Sequence, residues 1–236
     1  MATSGRIAGI ALIGLMASGC ATLQAPVLDA GPIQTQTRSI SAVSAVDLAA
    51  SGELVLTAGA TPSLRITAGR NVIDHLTSDV RQDRLTLGSD GSVHTSGRVR
   101  YVLVLPTARA VELSGSGAVQ VMAPNALQKV LIPGSGEVRV DGLSTDELTV
   151  DLSGSGQVTV AGSTTGQRIS IGGSGRYSGG ALASQDAEVT ISGSGSADVT
   201  ASRTLTATVT GNGAVTYGGG AAVTSSVTGH GAVTRR

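Results

Sequence analysis

Apolar and polar residues alternate in short runs along most of the chain, and from residue 111 onward the runs come in pairs joined by the same three residues. Val111 and Leu113 precede Gly115-Ser116-Gly117, and Val119 and Val121 follow it. Val130 and Ile132 precede Gly134-Ser135-Gly136, with Val138 and Val140 after it; Val150 and Leu152 precede Gly154-Ser155-Gly156, with Val158 and Val160 after it. The signature returns as Gly173-Ser174-Gly175, Gly193-Ser194-Gly195, Gly211-Asn212-Gly213 and Gly229-His230-Gly231. First glycines are separated by 19, 20, 19, 20, 18 and 18 residues, the fixed period of a repeat architecture. Period-two alternation with β-branched residues predicts strands that turn one face inward.

Each repeat therefore reads as a strand, a Gly-Ser-Gly corner, a second strand and a polar return such as Asp141-Gly142-Leu143-Ser144-Thr145-Asp146. Strands this short cannot stand alone. Stacked in register, each pairs with its equivalent in the next repeat about 4.8 Å away, and the inward side chains form a continuous column. The expected fold is all-β: a single parallel β-solenoid with coils of about 19 residues. The corner glycines are expected to serve a sharp turn, in backbone conformations that a Cβ disfavours, and the close approach of neighbouring coils. The residue between them has to be small and able to hydrogen-bond along the stack.

Residues 39–110 share this texture without a clean period. Leu54 and Leu56, Leu64 and Ile66, Leu85 and Leu87, and then Val99, Tyr101, Leu103 and Leu105 are alternating strand candidates. Ser51-Gly52 looks like a worn corner whose Gly52 lies 63 residues before Gly115, a gap that three coils of about 21 residues would fill. Residues 39–110 are thus expected to form irregular first coils and 111–236 the regular ones. Asn71 to Val80 is the expected excursion, with one helical turn.

Composition limits the core. The chain has 236 residues with 34 Gly, no Phe or Trp and three Tyr, so each layer is thin and filled by Val, Ile, Leu and Ala around Tyr101, Tyr177 and Tyr217 at most. Sixteen basic and sixteen acidic residues balance, and the basic ones are scattered, which excludes nucleic acid as an expected partner.

The first residues carry a different message. Arg6 precedes an apolar run from Ile7 to Ala17, which is too short to span a bilayer and reads as an export signal over residues 1–19. The run ends in Ala17-Ser18-Gly19-Cys20, which resembles the lipobox of bacterial lipoproteins, although Ala17 stands where Leu is commonest. That resemblance implies cleavage after Gly19, a diacylglycerol on Cys20, an acylated new amino terminus and, with Ala21 next, passage to an outer membrane. More than one acyl chain makes such an anchor stable. Residues 20–38, interrupted by Pro26 and Pro32 and continued by Gln34-Thr35-Gln36-Thr37, are expected to be a tether.

Over most of the remaining chain the residues resemble the bacterial "putative auto-transporter adhesin" family with a head GIN domain. The resemblance rests on Ala50-Ser51-Gly52-Glu53-Leu54-Val55-Leu56, Thr61-Pro62-Ser63-Leu64-Arg65-Ile66, Asn71 leading to Asp83-Arg84-Leu85-Thr86-Leu87, and Val102-Leu103-Val104-Leu105-Pro106 ahead of the first Gly-Ser-Gly. It implies a right-handed parallel β-helix on an exported, often lipid-anchored protein, and it brings no catalytic motif.

Motifs for chemistry are sparse. His75, His94 and His230 show neither helical pairing nor a neighbouring Cys, so no metal or cofactor is expected. Calcium-binding nonapeptide solenoids need Asp after each glycine corner, where this chain has Val119, Val138 and Val158. The corner serines lack both a G-x-S-x-G elbow and a recurring His base. A second reading is a β-helix lyase or hydrolase acting on polysaccharides, which requires carboxylates gathered in a groove. Glu112, Glu137, Asp141, Asp146, Glu147, Asp151, Asp186, Glu188 and Asp198 occupy different phases of the repeat; convergence of Glu137, Asp141 and Asp151 around Arg139 would favour that reading. The expected function is a noncatalytic envelope module that binds the membrane through Cys20 and a glycan or protein ligand through flat polar faces, where Gln120, Arg139 and Thr159 share one phase. Arg235 and Arg236 are expected to discourage pairing at the solenoid's last edge, the alternative being an edge left open for a partner.

Overall fold

The computed structural model describes residues 30–90, 98–123 and 125–236. The export signal, Gly19, Cys20 and His94 lie outside the described residues. After β1 (Ile33–Arg38), β2 (Ala45–Leu48) and β3 (Glu53–Ala58) form two sides of a coil around the Ser51-Gly52 corner. An excursion follows through β4 (Ser63–Gly69), the single helical turn α1 (Arg70–Ile73), β5 (Leu76–Arg81), β6 (Arg84–Ser89) and β7 (Arg100–Leu105). The chain then climbs through β8 (Ala110–Glu112), β9 (Ala118–Val121) and β10 (Lys129–Ile132). Four long bent strands come next, β11 (Glu137–Leu152), β12 (Gln157–Ile171), β13 (Arg176–Ile191) and β14 (Ser196–Gly211), and then β15 (Ala214–Gly218), β16 (Ala222–Gly229) and β17 (Ala232–Arg235).

These strands form a β-solenoid with parallel ladders on either side of the corners. Segments running into a corner stack in the order β6, β2, β8, β10, the second halves of β11 to β14, and β16. Segments leaving a corner stack as β7, β3, β9, the first halves of β11 to β14, β15 and β17. A shorter return ladder pairs Leu143, Ser144 and Thr145 with Gly162, Ser163 and Thr164, and these in turn with Leu182, Ala183 and Ser184.

The alternation read from the sequence sets the inward phase. Val138, Val158, Tyr177, Ala197 and Val215 are consecutive partners in one column, and Val150, Ile169, Val189 and Ala207 in another; all are buried. Each large side chain so placed contributes roughly 1.5–3 kcal/mol relative to exposure. Since every rung repeats the same contacts, stability accumulates along the stack.

Residues 39–110 depart from the expected sequence of three coils. Gly115 N–H donates to Leu48 O at 3.0 Å and Ala118 N–H to Gly52 O at 2.8 Å, so the coil of β8 and β9 sits directly on that of β2 and β3. The coil of β6 and β7 lies beneath it, on the opposite side. The intervening chain folds down and returns, and antiparallel strands make that reversal possible: β4 runs against β7, and β5 against β6. The β5–β6 hairpin turns at Gln82 and Asp83, both with positive φ (46° and 66°), as a two-residue hairpin turn of primed type requires.

This excursion caps one end of the solenoid. Val72, Ile73 and Leu76 are buried with Leu64 and Ile66 against the coil of β6 and β7. Residues 33–38, expected as tether, form β1, which pairs antiparallel with β4 as the outermost strand. Its polar sequence Gln-Thr-Gln-Thr-Arg suits an exposed edge.

The corner glycines are explained chiefly by close approach. A Cβ at Gly154 would lie 2.1 Å from Gly134 O, inside any van der Waals contact. Among the corner signatures, only Gly211 and Gly229 adopt positive φ (117° and 113°), so the expectation of unusual backbone conformation holds at these two and not at the first five.

Candidate functional site

Outward from the corners, the described residues form a corner line, two decorated outer faces, a cleft and a buried polar chain. Ser116, Ser135, Ser155, Ser174, Ser194, Asn212 and His230 are all exposed, forming a line along one solenoid edge. Ser51 and Ser116 join by a hydroxyl–hydroxyl bond of 3.2 Å, and backbone amides of Ser155, Ser174, Ser194, Asn212 and His230 each donate to the first glycine carbonyl of the coil before. These bonds tie each corner to the coil before it. His75, by contrast, stands in the capping excursion, with Nδ1 3.0 Å from Asp90 Oδ1.

The face beyond the corner carries Gln120, Arg139 and Thr159 in adjacent register, as their shared phase predicts. Arg139 does not gather carboxylates. Its Nε and Nη2 both reach Asp141, each at 2.9 Å, while Glu137 and Asp151 lie in ladders on opposite sides of a corner. Six of the nine acidic residues considered, Glu112, Asp141, Glu147, Asp186, Glu188 and Asp198, are each ion-paired with an arginine. Arg168 links three coils, bonding Glu188 and Glu147 at 2.9 Å, and these hydrogen bonds and charges raise its already high pKa. Hydrogen bonds from Arg203 and then Thr204 hold the Asp186 carboxyl below its usual range. Held this way, the Asp186 carboxyl is a poor proton donor, and exposed pairs of this kind contribute little to stability. Among the described residues no group of three His, Cys, Asp or Glu is placed to hold a metal ion.

A cleft of about 300 Å³ opens where the return ladder has no rung. Leu56, Leu105, Pro106, Val121, Met122 and Ala126 make its walls mostly apolar. Asn125 fastens its rim: Nδ2 donates to Asp141 O at 2.8 Å, and Ser144 N–H donates to Asn125 O at 3.0 Å, starting the return ladder. Such a volume is at the small end of ligand pockets, and an apolar ligand or side chain fits its chemistry. Sequence reasoning missed it. The available signal was Met122-Ala123 after β9, where the next return carries Asp141-Gly142.

The buried polar chain was also missed. Gln167 stands in register with Leu148 and Ala187, an inward position, and Tyr177 stands between Val158 and Ala197. Tyr177 Oη donates to Gln167 Oε1 at 2.9 Å, Gln167 Nε2 donates to Ser184 Oγ at 2.9 Å, and Ser184 Oγ donates to Thr200 O at 2.8 Å. Burial, with a smaller push from Asp198, raises the Tyr177 pKa far above that of a free tyrosine. Every step of this chain is internally satisfied, so it fixes the packing of β12, β13 and β14 and offers no open valence to a ligand.

No curated protein matches the sequence. Solved structures match the fold. A putative adhesin from Bacteroides fragilis is 20% identical, with a TM-score of 0.81 over 89% of this chain and all of that one. A putative lipid binding protein from Parabacteroides distasonis is 19% identical, with a TM-score of 0.73 over 89% of this chain and all of its own. A putative adhesin from Parabacteroides merdae is 22% identical, with a TM-score of 0.66 over 90% of this chain and all of that one. At these identities the likeness is one of fold. The family model described as "Putative auto-transporter adhesin, head GIN domain" matches residues 43–221, from the strand preceding the first corner to the last fully packed coil, and the chain belongs to that family.

Proposed function

We propose that this chain is an exported, noncatalytic solenoid of the cell envelope, lipid-anchored through Cys20, that presents its long outer faces to a glycan or protein ligand. The observation that carries the reading is the dispersal of the carboxylates: Arg139 is taken up by Asp141 alone, and Glu147 and Glu188 flank Arg168 on an open strand face. A polysaccharide lyase or hydrolase needs the opposite arrangement. Membership of a family described in terms of adhesion supports envelope placement, and the lipobox-like Ala17-Ser18-Gly19-Cys20 supports the anchor.

The test is protease accessibility of an epitope-tagged full-length protein in intact and permeabilised cells, with Cys20→Ala alongside. Cleavage in intact cells that depends on Cys20 is expected for a surface-facing ligand-binding module. Protection until permeabilisation places the solenoid inside the envelope and turns the reading toward a scaffold. Release of the wild-type protein into the medium, equal to that of Cys20→Ala, removes the anchor.

A second reading concerns the apolar cleft. A similar fold described as a putative lipid binding protein and the wall of Leu56, Leu105, Val121 and Met122 both support uptake of an apolar ligand. Quenching or enhancement of a fluorescent fatty acid by the wild-type chain, abolished by Ala126→Trp, is the expected result; equal signals from both refute it.

A further inference from the structure

The two ends of the solenoid differ. One is closed by α1 and the antiparallel strands β1, β4 and β5. At the other end, β16 is exposed along its whole length, and among the described residues nothing lies above its inward-phase positions. Val223 pairs below with Leu205, and Val227 with Val209; those lower partners are buried, whereas Val223 and Val227 are 37% and 42% exposed.

The two terminal arginines turn away from β16. Arg236 folds back onto its own coils, pairing with Asp198 at 3.2 Å and donating to Thr200 Oγ1, and Arg235 donates to Gly219 O at 3.0 Å. Neither arginine covers β16, and the strand itself, Ala-Val-Thr-Ser-Ser-Val-Thr-Gly, carries no charge. Long, uncharged, partly apolar edges are the ones that pair with another chain.

The geometry points to a second copy of this chain as the occupant, docked end to end about a twofold axis through Ser225. Backbone phase and side-chain phase agree on this register. His230 N–H donates to Gly211 O at 3.0 Å, and since alternate residues of a parallel strand face the same neighbour, the amides and carbonyls of Val223, Ser225 and Val227 face the open edge. Antiparallel pairing centred on Ser225 sets Val223 opposite the copy's Val227 and Ser225 opposite Ser225. Those are the residues whose backbone groups are free, so the three pairs exchange about six hydrogen bonds. The same register continues the inward column: valine meets valine and serine meets serine across the joint. The capped end prevents the contact from propagating, which selects a closed dimer over a fibre. This inference does not depend on the anchor or on the ligand proposed above.

The test uses the full-length chain carrying Cys20→Ala, which removes both acylation and the only cysteine. Sedimentation velocity is expected to give twice the monomer mass. Ser225→Cys in that background is expected to form a disulfide-linked dimer under mild oxidation, because directly opposed residues of a hydrogen-bonded antiparallel pair lie about 5.5 Å apart at Cα, within disulfide range. Thr190→Cys, on an outer face in mid-solenoid, is expected to stay uncrosslinked. The double change Val223→Lys and Val227→Lys places like charges opposite each other and is expected to weaken the dimer by about tenfold or more. A monomer at all concentrations, a fibre, or a dimer that survives both lysines without crosslinking through residue 225 would each overturn the proposal.

Discussion

Tyr177 and Gln167 interrupt two apolar columns together, the phenol of one donating to the amide oxygen of the other at 2.9 Å. Neither residue fits there alone. A buried acceptor deprived of its donor loses hydration without recompense, whereas replacement of both partners by apolar groups removes the need. Tyr177→Phe is therefore expected to destabilise by about 1–3 kcal/mol, while the double change Tyr177→Phe with Gln167→Leu lies within about 1 kcal/mol of the parent. Urea unfolding of the four members of this cycle measures the coupling. Additive effects would show that the bond carries no energy of its own.

A second tyrosine makes the opposite case. Tyr101 is fully buried, its hydroxyl has no hydrogen-bond partner among the described residues, and burial pushes its pKa up to about 12 despite the opposing charge of Arg38. Tyr101→Phe is expected to leave stability near neutral pH unchanged or raise it by up to about 1 kcal/mol. A loss larger than that in chemical unfolding would mean the hydroxyl has a partner in solution.

Most of this architecture is legible in the sequence for a local reason. A Val at 138 and another at 140 point the same way in any strand, and Gly134-Ser135-Gly136 marks the corner without reference to the rest of the chain. Placement of the β6–β7 coil beneath β2 and β3 depends on which edges meet, information that no short window holds. The hairpin at Gln82-Asp83 is similarly obscure, because residues without glycine rarely announce a positive-φ turn; Asp83 reveals its role only through its carboxylate, which binds Ser44 N–H at 3.0 Å and the Ser44 hydroxyl. The cleft was hidden because it arises from a missing rung, and Gln167 because a single polar residue in a return reads as solvent-facing until the register is known.

That hairpin gives a third prediction. Asp83→Ala removes both bonds to Ser44 and places a residue with little tolerance for φ of 66° in the turn, so a loss of about 1–3 kcal/mol is expected. Asp83→Gly removes the bonds but relaxes the backbone and should lose less. Thermal denaturation of the pair separates the two contributions; equal losses would assign the whole effect to the hydrogen bonds.

The tyrosines also set an alkaline limit. Folded Tyr101 and Tyr177 hold their protons more tightly than the unfolded chain, whose tyrosines titrate near the ordinary value of about 10. Their contribution is complete below that pH and is lost as pH rises, since the unfolded state then releases protons that the folded state retains. For Tyr101 the loss reaches about 2 kcal/mol by pH 12. Urea midpoints between pH 8 and 12 should fall less steeply in Tyr101→Phe than in the parent, and identical slopes would exclude Tyr101 as a source.

Glycines at corners and in returns look alike in the sequence but differ in what surrounds them. A Cβ at Gly154 would meet Gly134 O at 2.1 Å and Pro133 O at 2.7 Å, both backbone atoms of the coil below that cannot swing aside. At Gly166 no atom of the described residues would lie within 4 Å of such a Cβ, and the backbone there is not in the positive-φ region. Gly154→Ala must spread two coils and break the ladder through Ser155 N–H, which donates to Gly134 O at 3.2 Å; a loss above about 3 kcal/mol is expected. Gly166→Ala restricts the unfolded chain without native strain and is expected to gain about 0.4–1 kcal/mol. Parallel urea titrations of the two variants check this directly. A tolerant Gly154→Ala would mean that the coils can separate at a corner without cost, and the close-approach account of the Gly-Ser-Gly signature would fail with it.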